Sequence, residues 1–89
     1  MQRLSIIIPA LNEAENIQST LERLQPLRSR GHEVILVDGG STDDTVDMAR
    51  PEVDRILNSD PGRARQMNVG ASQARGDIFW FLHADTLIP

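Results

Sequence analysis

Short apolar runs alternate along the chain with segments whose apolar residues recur every three or four positions. Residues 4–8, 34–37 and 78–82 are apolar runs of strand length, and residues 53–57 form a weaker one. Apolar runs of four to eight residues between turn residues predict buried strands. The weaker run contains Asp54 and Arg55, which is typical of an edge strand, whereas the first and last runs are apolar enough for interior strands of a parallel sheet.

Three segments between these runs follow a helical period. The first helix is predicted to begin at Asn12 as N-cap, with Glu15 as its capping-box partner, and its end is marked by Pro26 and Gly31. Its apolar stripe consists of Ala14, Ile17, Leu21 and Leu24. A second, short helix follows Ser41 or Thr42 as its cap. The third covers residues 63–74, with a stripe made of Ala64, Met67, Ala71 and Ala74.

The resulting order, β-α-β-α-β-α-β, predicts right-handed crossovers and an α/β fold with a Rossmann-like parallel sheet. In such sheets ligands bind at the carboxyl ends of the strands. Those ends are residues 9–13, 38–43, 58–65 and 83–86, and nearly all the unusual polar residues of the chain lie there. The sequence therefore predicts a binding site formed by these four loops.

Composition and charge exclude several classes of function. The chain has 89 residues, which fits one small domain, 1–89, and it has no cysteine, so disulfides and thiolate metal sites are ruled out. A net charge of −4 argues against nucleic-acid binding, which needs a basic face. No apolar run approaches the ~20 residues of a transmembrane segment. With no apolar signal-peptide core, a cytoplasmic location is expected, and a membrane-peripheral one stays open for the complete protein.

The loops themselves narrow the chemistry further. The first loop, residues 9–13, has no glycine and contains the acidic Glu13, which disfavours NAD or FAD binding. Asp38, at the end of the second run, can accept hydrogen bonds from a ribose hydroxyl or a base N–H, and Gly39 permits close approach. Ser41 and Asp43 can equally serve as helix caps.

Two later loops carry groups suited to a diphosphate and a cation. Arg63 and Arg65 open the third helix, where backbone N–H groups and guanidinium groups suit a diphosphate, although a solvated basic turn has the same composition. Asn68, inside that helix, is unfavourable there and is predicted to hydrogen-bond. His83 and Asp85 point the same way from an extended segment and together can hold a divalent cation, but His-x-Asp also occurs often by chance.

Several blocks of this sequence together resemble a known family. LSIIIPALNE at residues 4–13, VDGGSTD at 37–43, the Gly-Asp pair at 76–77 and FLHAD at 81–85 resemble the N-terminal half of family 2 glycosyltransferases with the GT-A fold. The resemblance covers essentially all 89 residues. The segments VDGGSTD, GRARQMN and FLHADT are most similar to those of the bacterial subgroup named as radical-SAM/selenodomain-associated transferases.

The resemblance implies a nucleotide-diphosphate sugar as donor, an acceptor that stays unknown, and Mn²⁺ or Mg²⁺ as cofactor. The residues it assigns to the donor nucleotide are Pro9, Asn12, Glu13, Asp38, Gly39, Arg63 and Arg65. Arg63 is placed near the diphosphate, and Arg65 is the alternative residue for the same contact. Asp85 matches the last residue of the Asp-x-Asp metal motif, and His83 stands in place of the first. His83 is therefore a metal ligand, a phosphate contact or neither.

The resemblance also implies that the chain is one incomplete nucleotide-sugar-binding domain. Family members continue well past the metal motif, so the acceptor site and the catalytic base are expected elsewhere, and the chain is expected to be inactive alone. The implied strand order, 3-2-1-4, leaves the fourth strand at an open edge, which predicts self-association. One alternative is a non-catalytic nucleotide-binding module that acts with a partner chain. Another, an unrelated small α/β signalling or methyl-donor-binding domain, is disfavoured by the glycine-free first loop.

Overall fold

A computed structural model describes residues 2–84 and contains one four-stranded parallel sheet with helices on both faces. The strands are β1 (Leu4–Ala10), β2 (Glu33–Asp38), β3 (Arg55–Asn58) and β4 (Ile78–Phe81). The helices are α1 (Ile17–Glu22), α2 (Gln25–Ser29), α3 (Thr45–Ala49) and α4 (Arg63–Gln73), and a 3-10 turn, Arg50–Glu52, follows α3. The strand order is β3-β2-β1-β4, which confirms the predicted α/β fold and its order. No helix within residues 2–84 has the length and apolar character needed to span a membrane.

The core lies on both faces of the central strands β1 and β2. On one face Ile6 and Ile8 pack with Leu36 against α1, and on the other Ile7 packs with Val37 beneath α4. β3 forms one edge, as its charged residues predicted, and β4 forms the other. The apolar run of β4 thus does not mark an interior strand of the described sheet, and its residues Ile78, Phe79 and Phe81 remain 42%, 43% and 39% exposed.

The start of α1 differs from the prediction. The helix begins at Ile17, and Asn12 is not its N-cap, because Asn12 adopts a φ of 53° and its side-chain oxygen accepts a hydrogen bond from the Thr42 N–H at 2.8 Å. The backbone carbonyl of Glu13 instead accepts the N–H of Ile17 at 2.8 Å. A second helix, α2, follows with Pro26 in its first turn, so the predicted single helix is two.

The sheet-facing side of α4 also differs from the prediction. The buried residues of this helix are Gln66 and Gly70, whereas Ala64, from the predicted stripe, is exposed. A Cβ on Gly70 would lie 2.4 Å from Cγ2 of Ile7 and 3.1 Å from Cγ2 of Val37. The helix backbone therefore rests directly on the sheet at Gly70, while Ala71 and Ala74 of the predicted stripe are partly buried against the same core cluster.

A buried hydrogen-bond network joins the amino ends of the strands. Glu33, only 2% exposed, accepts hydrogen bonds at 2.6 Å from the Ser5 hydroxyl and at 2.6 Å from the Arg75 N–H. The Ser5 hydroxyl in turn accepts the Gly76 N–H at 2.8 Å. Burial by itself would raise the pKa of Glu33. The two hydrogen bonds and the positive charges of Arg3 and Arg55 outweigh it and hold the pKa below the ordinary 4.5.

The lowered pKa of Glu33 predicts acid sensitivity of the fold. Because the unfolded chain takes up a proton on Glu33 at higher pH than the folded chain, this contribution to stability is full above pH 4.5 and is lost as pH falls through the folded pKa. Urea unfolding from pH 7 to pH 3 is expected to show this loss. Glu33→Gln should remove that part of the pH dependence, and an unchanged profile in this variant would contradict the assignment.

Candidate functional site

A cavity of about 350 Å³ opens at the carboxyl ends of β1 and β4 and beside the start of α4. We call it the strand-end cavity. Its lining residues are Pro9, Ala10, Leu11, Glu13, Gly62, Arg63, Gln66, His83 and Ala84. The structure thus brings together four of the residues singled out in the sequence, which are Pro9, Glu13, Arg63 and His83. A second cavity of about 150 Å³ shares three of them, Pro9, Arg63 and His83.

Glu13 supplies the cavity with an acceptor that has no partner. Its backbone N–H is fixed by a 2.8 Å hydrogen bond to the hydroxyl of the buried Thr45. Its carboxylate oxygen Oε2 is buried, yet it accepts no hydrogen bond from any residue within 2–84. A buried acceptor without a partner costs about 1–3 kcal/mol, and a ligand group that donated a hydrogen bond to this oxygen would recover that cost.

The two arginines that open α4 have different surroundings. Arg63 lines the strand-end cavity, and its guanidinium forms no ion pair or hydrogen bond with another residue in the described part of the chain. Arg65 is outside the cavity lining, is 72% exposed at its side chain and lies 3.8 Å from the carboxylate of Asp60. A surface pair of this kind contributes little. Arg63 is therefore the cation available to an anionic ligand in the cavity.

Asp38, Gly39 and Asn12 lie beside the cavity rather than on its lining. The Asp38 carboxylate accepts hydrogen bonds from the Gly40 N–H at 3.1 Å, and from the N–H and hydroxyl of Ser41 at 3.0 and 2.5 Å. The Ser41 hydroxyl accepts the Asn12 N–H at 2.8 Å. These side chains hold the first two strand-end loops together, so their predicted contacts with a nucleotide stay predictions.

Ser41 and Asp43 were both candidates to cap the helix that follows β2, and the structure gives a different outcome for each residue. Ser41 bonds to Asp38 and Asn12 and does not cap α3. Asp43 accepts hydrogen bonds from the hydroxyl and N–H of Thr45, the first residue of α3, and from the Ala14 N–H at 3.2 Å. The Thr45 hydroxyl is the main reason that the pKa of Asp43 lies below its usual 3.8. Asp43 therefore ties α3 to the loop before α1.

Gln66 is a lining residue that the sequence did not reveal. It is 4% exposed and uses its whole side-chain amide in hydrogen bonds to backbone groups. The sequence drew attention to Asn68 as the polar residue of α4 in need of a partner, but Asn68 is exposed. The available signal was the position of Gln66, four residues before Gly70 and thus on the same face of the helix.

The predicted metal ligands are only partly described. His83 is exposed and lines the strand-end cavity, and Asp85 lies outside the described residues. Within residues 2–84, no three histidine, aspartate or glutamate side chains cluster in a way that could hold a metal ion. Any ion held here by His83 would need further ligands from beyond this range or from a bound molecule.

Comparisons with known proteins agree on one family. The model of glycosyl transferase family 2 matches residues 5–89. A PGL/p-HBAD biosynthesis glycosyltransferase of Mycobacterium bovis is 39% identical over 88 residues, with 91% of this chain and 34% of that protein covered. The chain spans about a third of the length of the curated relatives it matches.

Solved structures share the fold at moderate sequence identity. A mannosyltransferase from Pyrobaculum calidifontis, in complex with GDP-Man and Mn²⁺, superposes with a TM-score of 0.87 at 28% identity, covering 99% of this chain and 29% of that one. A glucosyl-3-phosphoglycerate synthase from Mycobacterium tuberculosis, in complex with Mn²⁺, UDP and glucosyl-3-phosphoglycerate, gives 0.79 at 29% identity, covering 93% and 33%.

Proposed function

The chain belongs to glycosyl transferase family 2, and from this premise we propose that it forms the donor-binding part of a glycosyltransferase. Its ligand would be a nucleotide-diphosphate sugar, held in the strand-end cavity with a divalent metal ion. The observation that carries the proposal is that Glu13 and Arg63 line one cavity, and that Oε2 of Glu13 has no hydrogen-bond partner within residues 2–84. The Glu13 oxygen is an acceptor for a sugar hydroxyl or base N–H, and the Arg63 guanidinium is a donor to phosphate.

The size and placement of the cavity support the same ligand. Its volume of about 350 Å³ falls within the ~300–1,000 Å³ that is usual for small-molecule sites. It lies at the carboxyl ends of parallel strands, where ligands of α/β sheets bind. Pro9 and Glu13 come from the end of β1 and the loop after it, and Arg63 comes from the first turn of α4. A nucleoside between Pro9 and Glu13 would direct its diphosphate toward Arg63.

A divalent metal fits the donor atoms that this chain offers. Magnesium is commonly held by one or two protein ligands together with phosphate oxygens and water. In this chain we assign His83 and Asp85 as the candidate ligands, with Mn²⁺ or Mg²⁺ as the ion. The bound ion would offset the charge that builds on the departing nucleoside diphosphate. Two structural relatives, both solved with Mn²⁺ and a nucleotide or nucleotide sugar, support the choice of a divalent ion.

Calorimetric titration of the 89-residue chain with UDP and GDP, with and without Mn²⁺, tests the proposal. Binding of at least one nucleotide, tightened by Mn²⁺, is the expected result. Asp85→Ala should abolish the effect of Mn²⁺, while Asp47→Ala, an exposed carboxylate on α3, should not. If neither nucleotide binds, the proposal is wrong. Metal dependence that is unchanged in Asp85→Ala removes Asp85 from its assigned role.

We propose further that sugar transfer needs the portion of the relatives' length that this chain does not span. No residue is assigned as a catalytic base, because Glu13, the one carboxylate among the described lining residues, is assigned to the donor nucleotide. A nucleotide-sugar assay should therefore detect no transfer by these 89 residues alone. Measurable transfer to an added acceptor would contradict this part of the proposal.

The exposed edge of β4 favours association with another chain. Ile78, Phe79 and Phe81 are each about two-fifths exposed, and β4 lies at the edge of the sheet within residues 2–84. Such edges pair readily with other strands. We propose self-association through this edge, with a nucleotide-binding module completed by a partner chain as the alternative. Light scattering at high protein concentration should show a dimer or larger species, and a monomer throughout would contradict self-association.

Within the family we propose the bacterial radical-SAM/selenodomain-associated subgroup. Support comes from the segments VDGGSTD, GRARQMN and FLHADT, in which Gly39 and His83 depart from the commoner pattern of the family. The proposal predicts that the gene lies beside one for a radical-SAM protein in its genome. A neighbourhood of lipid or polysaccharide synthesis genes alone would count against it.

A further inference from the structure

One side chain connects two lining residues of the strand-end cavity, Ala10 and Gly62, to the carboxyl end of β2. The amide nitrogen of Gln66 donates hydrogen bonds to the carbonyl of Ala10 at 3.0 Å and to that of Val37 at 2.9 Å. Its oxygen accepts the N–H of Gly62 at 3.2 Å. Ala10 ends β1, Val37 is the next-to-last residue of β2, and Gly62 precedes α4. The amide thus fixes the carboxyl ends of two strands relative to the start of a helix.

The bond to Gly62 also fixes the backbone from which Arg63 projects. The N–H of Gln66 donates to the Gly62 carbonyl at 2.9 Å, while the N–H of Gly62 donates to the Gln66 side chain. Gly62 has a φ of 137°, a conformation that needs support from its surroundings. This reciprocal pair holds the turn before α4 in one geometry, and Arg63 follows it directly.

Gly39 provides the space in which the Gln66 amide lies. A Cβ at position 39 would lie 3.0 Å from Cδ and Oε1 of Gln66 and 3.1 Å from its Nε2. The amide would have to shift by a few tenths of an ångström to make room, which would strain its hydrogen bonds to Ala10, Val37 and Gly62. Gly39 does not have a positive φ, in contrast with Gly40 at 102°. Position 39 therefore requires glycine for space rather than for backbone conformation.

We propose that Gln66 is a positioning residue for donor binding, which sets the spacing between the Glu13 loop and Arg63, and that Gly39 is its necessary companion. The proposal rests on the function proposed above. It adds a specific determinant of affinity, because a nucleotide diphosphate must reach Glu13 and Arg63 at the same time. The role belongs to the Gln66 amide acting through the backbone, and no bond from Gln66 to the ligand is required.

Gln66→Met tests the positioning role, because it keeps the length of the side chain and removes its hydrogen bonds. The Kd for UDP or GDP with Mn²⁺ is expected to rise at least about tenfold, measured where circular dichroism shows the variant folded. Gln25→Met is the matched control. Gln25 also bridges two carbonyls, those of Leu21 at 2.8 Å and Glu52 at 3.0 Å, but it is not a lining residue of the cavity.

The control separates positioning from general stability. Gln25→Met should lower the melting temperature while leaving the Kd within about twofold of the wild type. A Gln66→Met protein that is folded and binds nucleotide as tightly as the wild type overturns the proposal. If Gln66→Met does not fold, Gly39→Ala provides the same measurement, since it displaces the amide without removing it.

A double-mutant cycle tests, without any ligand, whether the Gln66 amide occupies the space left open by Gly39. Gly39→Ala should lower the melting temperature when Gln66 is present and have little effect in a Gln66→Ala background. Equal effects in both backgrounds overturn the shared-space claim. A wild-type chain that binds neither UDP nor GDP overturns the proposed function and the positioning role with it, whereas the cycle still reports on the packing of the pair.

Discussion

Gly76→Ala is expected to remove a large part of the free energy of unfolding. A Cβ at this position would lie 2.6 Å from the carbonyl oxygen of Arg3, 2.6 Å from Oγ of Ser5 and 2.8 Å from the backbone nitrogen of Ser5. Two of these atoms belong to the backbone at the start of β1, the central strand, and cannot rotate away as a side chain can. The segment leading into β4 must therefore move off β1.

Three hydrogen bonds depend on this close approach. They run from the Gly76 N–H to the Ser5 hydroxyl at 2.8 Å, and from the N–H groups of Asp77 and Ile78 to the Arg3 carbonyl at 2.7 and 3.2 Å. Losing them costs about 1 kcal/mol each, and overpacking adds about 1–3 kcal/mol. The sum of about 4 kcal/mol or more compares with a total of about 5–15 kcal/mol for most folded domains.

Urea denaturation followed by circular dichroism measures this loss, with Gly31→Ala as the control. Gly31 has a φ of 94°, and a Cβ there would meet no atom within 4 Å. Its replacement should lower the free energy of unfolding only by the cost of placing alanine in a left-handed backbone conformation, about 1–2 kcal/mol. If Gly76→Ala costs no more than Gly31→Ala, the approach of residue 76 to β1 is looser than the structure indicates.

The sheet was predictable because each of its strands is a separate apolar run in the sequence. The runs are most apolar where both faces of the strand are buried, as in β1 and β2. The start of α1 was not, because it depends on a contact across the chain. Asn12 has the composition of an N-cap, but its side chain bonds to Thr42, thirty residues away, and the Glu13 carbonyl begins the helix turn instead. A local pattern contains no information about which loop will compete for such a side chain.

Some features of the candidate site were likewise predictable from the sequence, and others were not. The topological rule placed the polar loops at the carboxyl ends of the strands, and four of the predicted residues do line one cavity there. Asp38 was expected to face a ligand, yet its carboxylate accepts hydrogen bonds from Gly40 and Ser41. Gln66 was missed because a glutamine in a helix is ordinary, and its importance appears only when α4 rests on the sheet at Gly70.

Arg63→Gln is expected to weaken the binding of UDP or GDP by about 10- to 100-fold. Hydrogen bonds to charged groups are worth about 1.5–3 kcal/mol, and each 1.4 kcal/mol is about tenfold in Kd. In the described chain Arg63 lines the strand-end cavity without an internal partner, so its charge is available to a diphosphate. Calorimetry with Mn²⁺ gives the Kd. The loss of affinity caused by Arg63→Gln should become smaller as the salt concentration is raised.

Arg65→Gln is the matched control, because the two arginines are separated by one residue and only Arg63 lines the cavity. Arg65 points to solvent near Asp60, and its replacement should change the Kd by less than about twofold. Both variants should keep the free energy of unfolding within about 0.5 kcal/mol, since both side chains are exposed. An equal or larger loss of affinity in Arg65→Gln would make Arg65 the diphosphate contact. That result would also require the start of α4 to turn on binding, since the geometry described here directs Arg63, not Arg65, into the cavity.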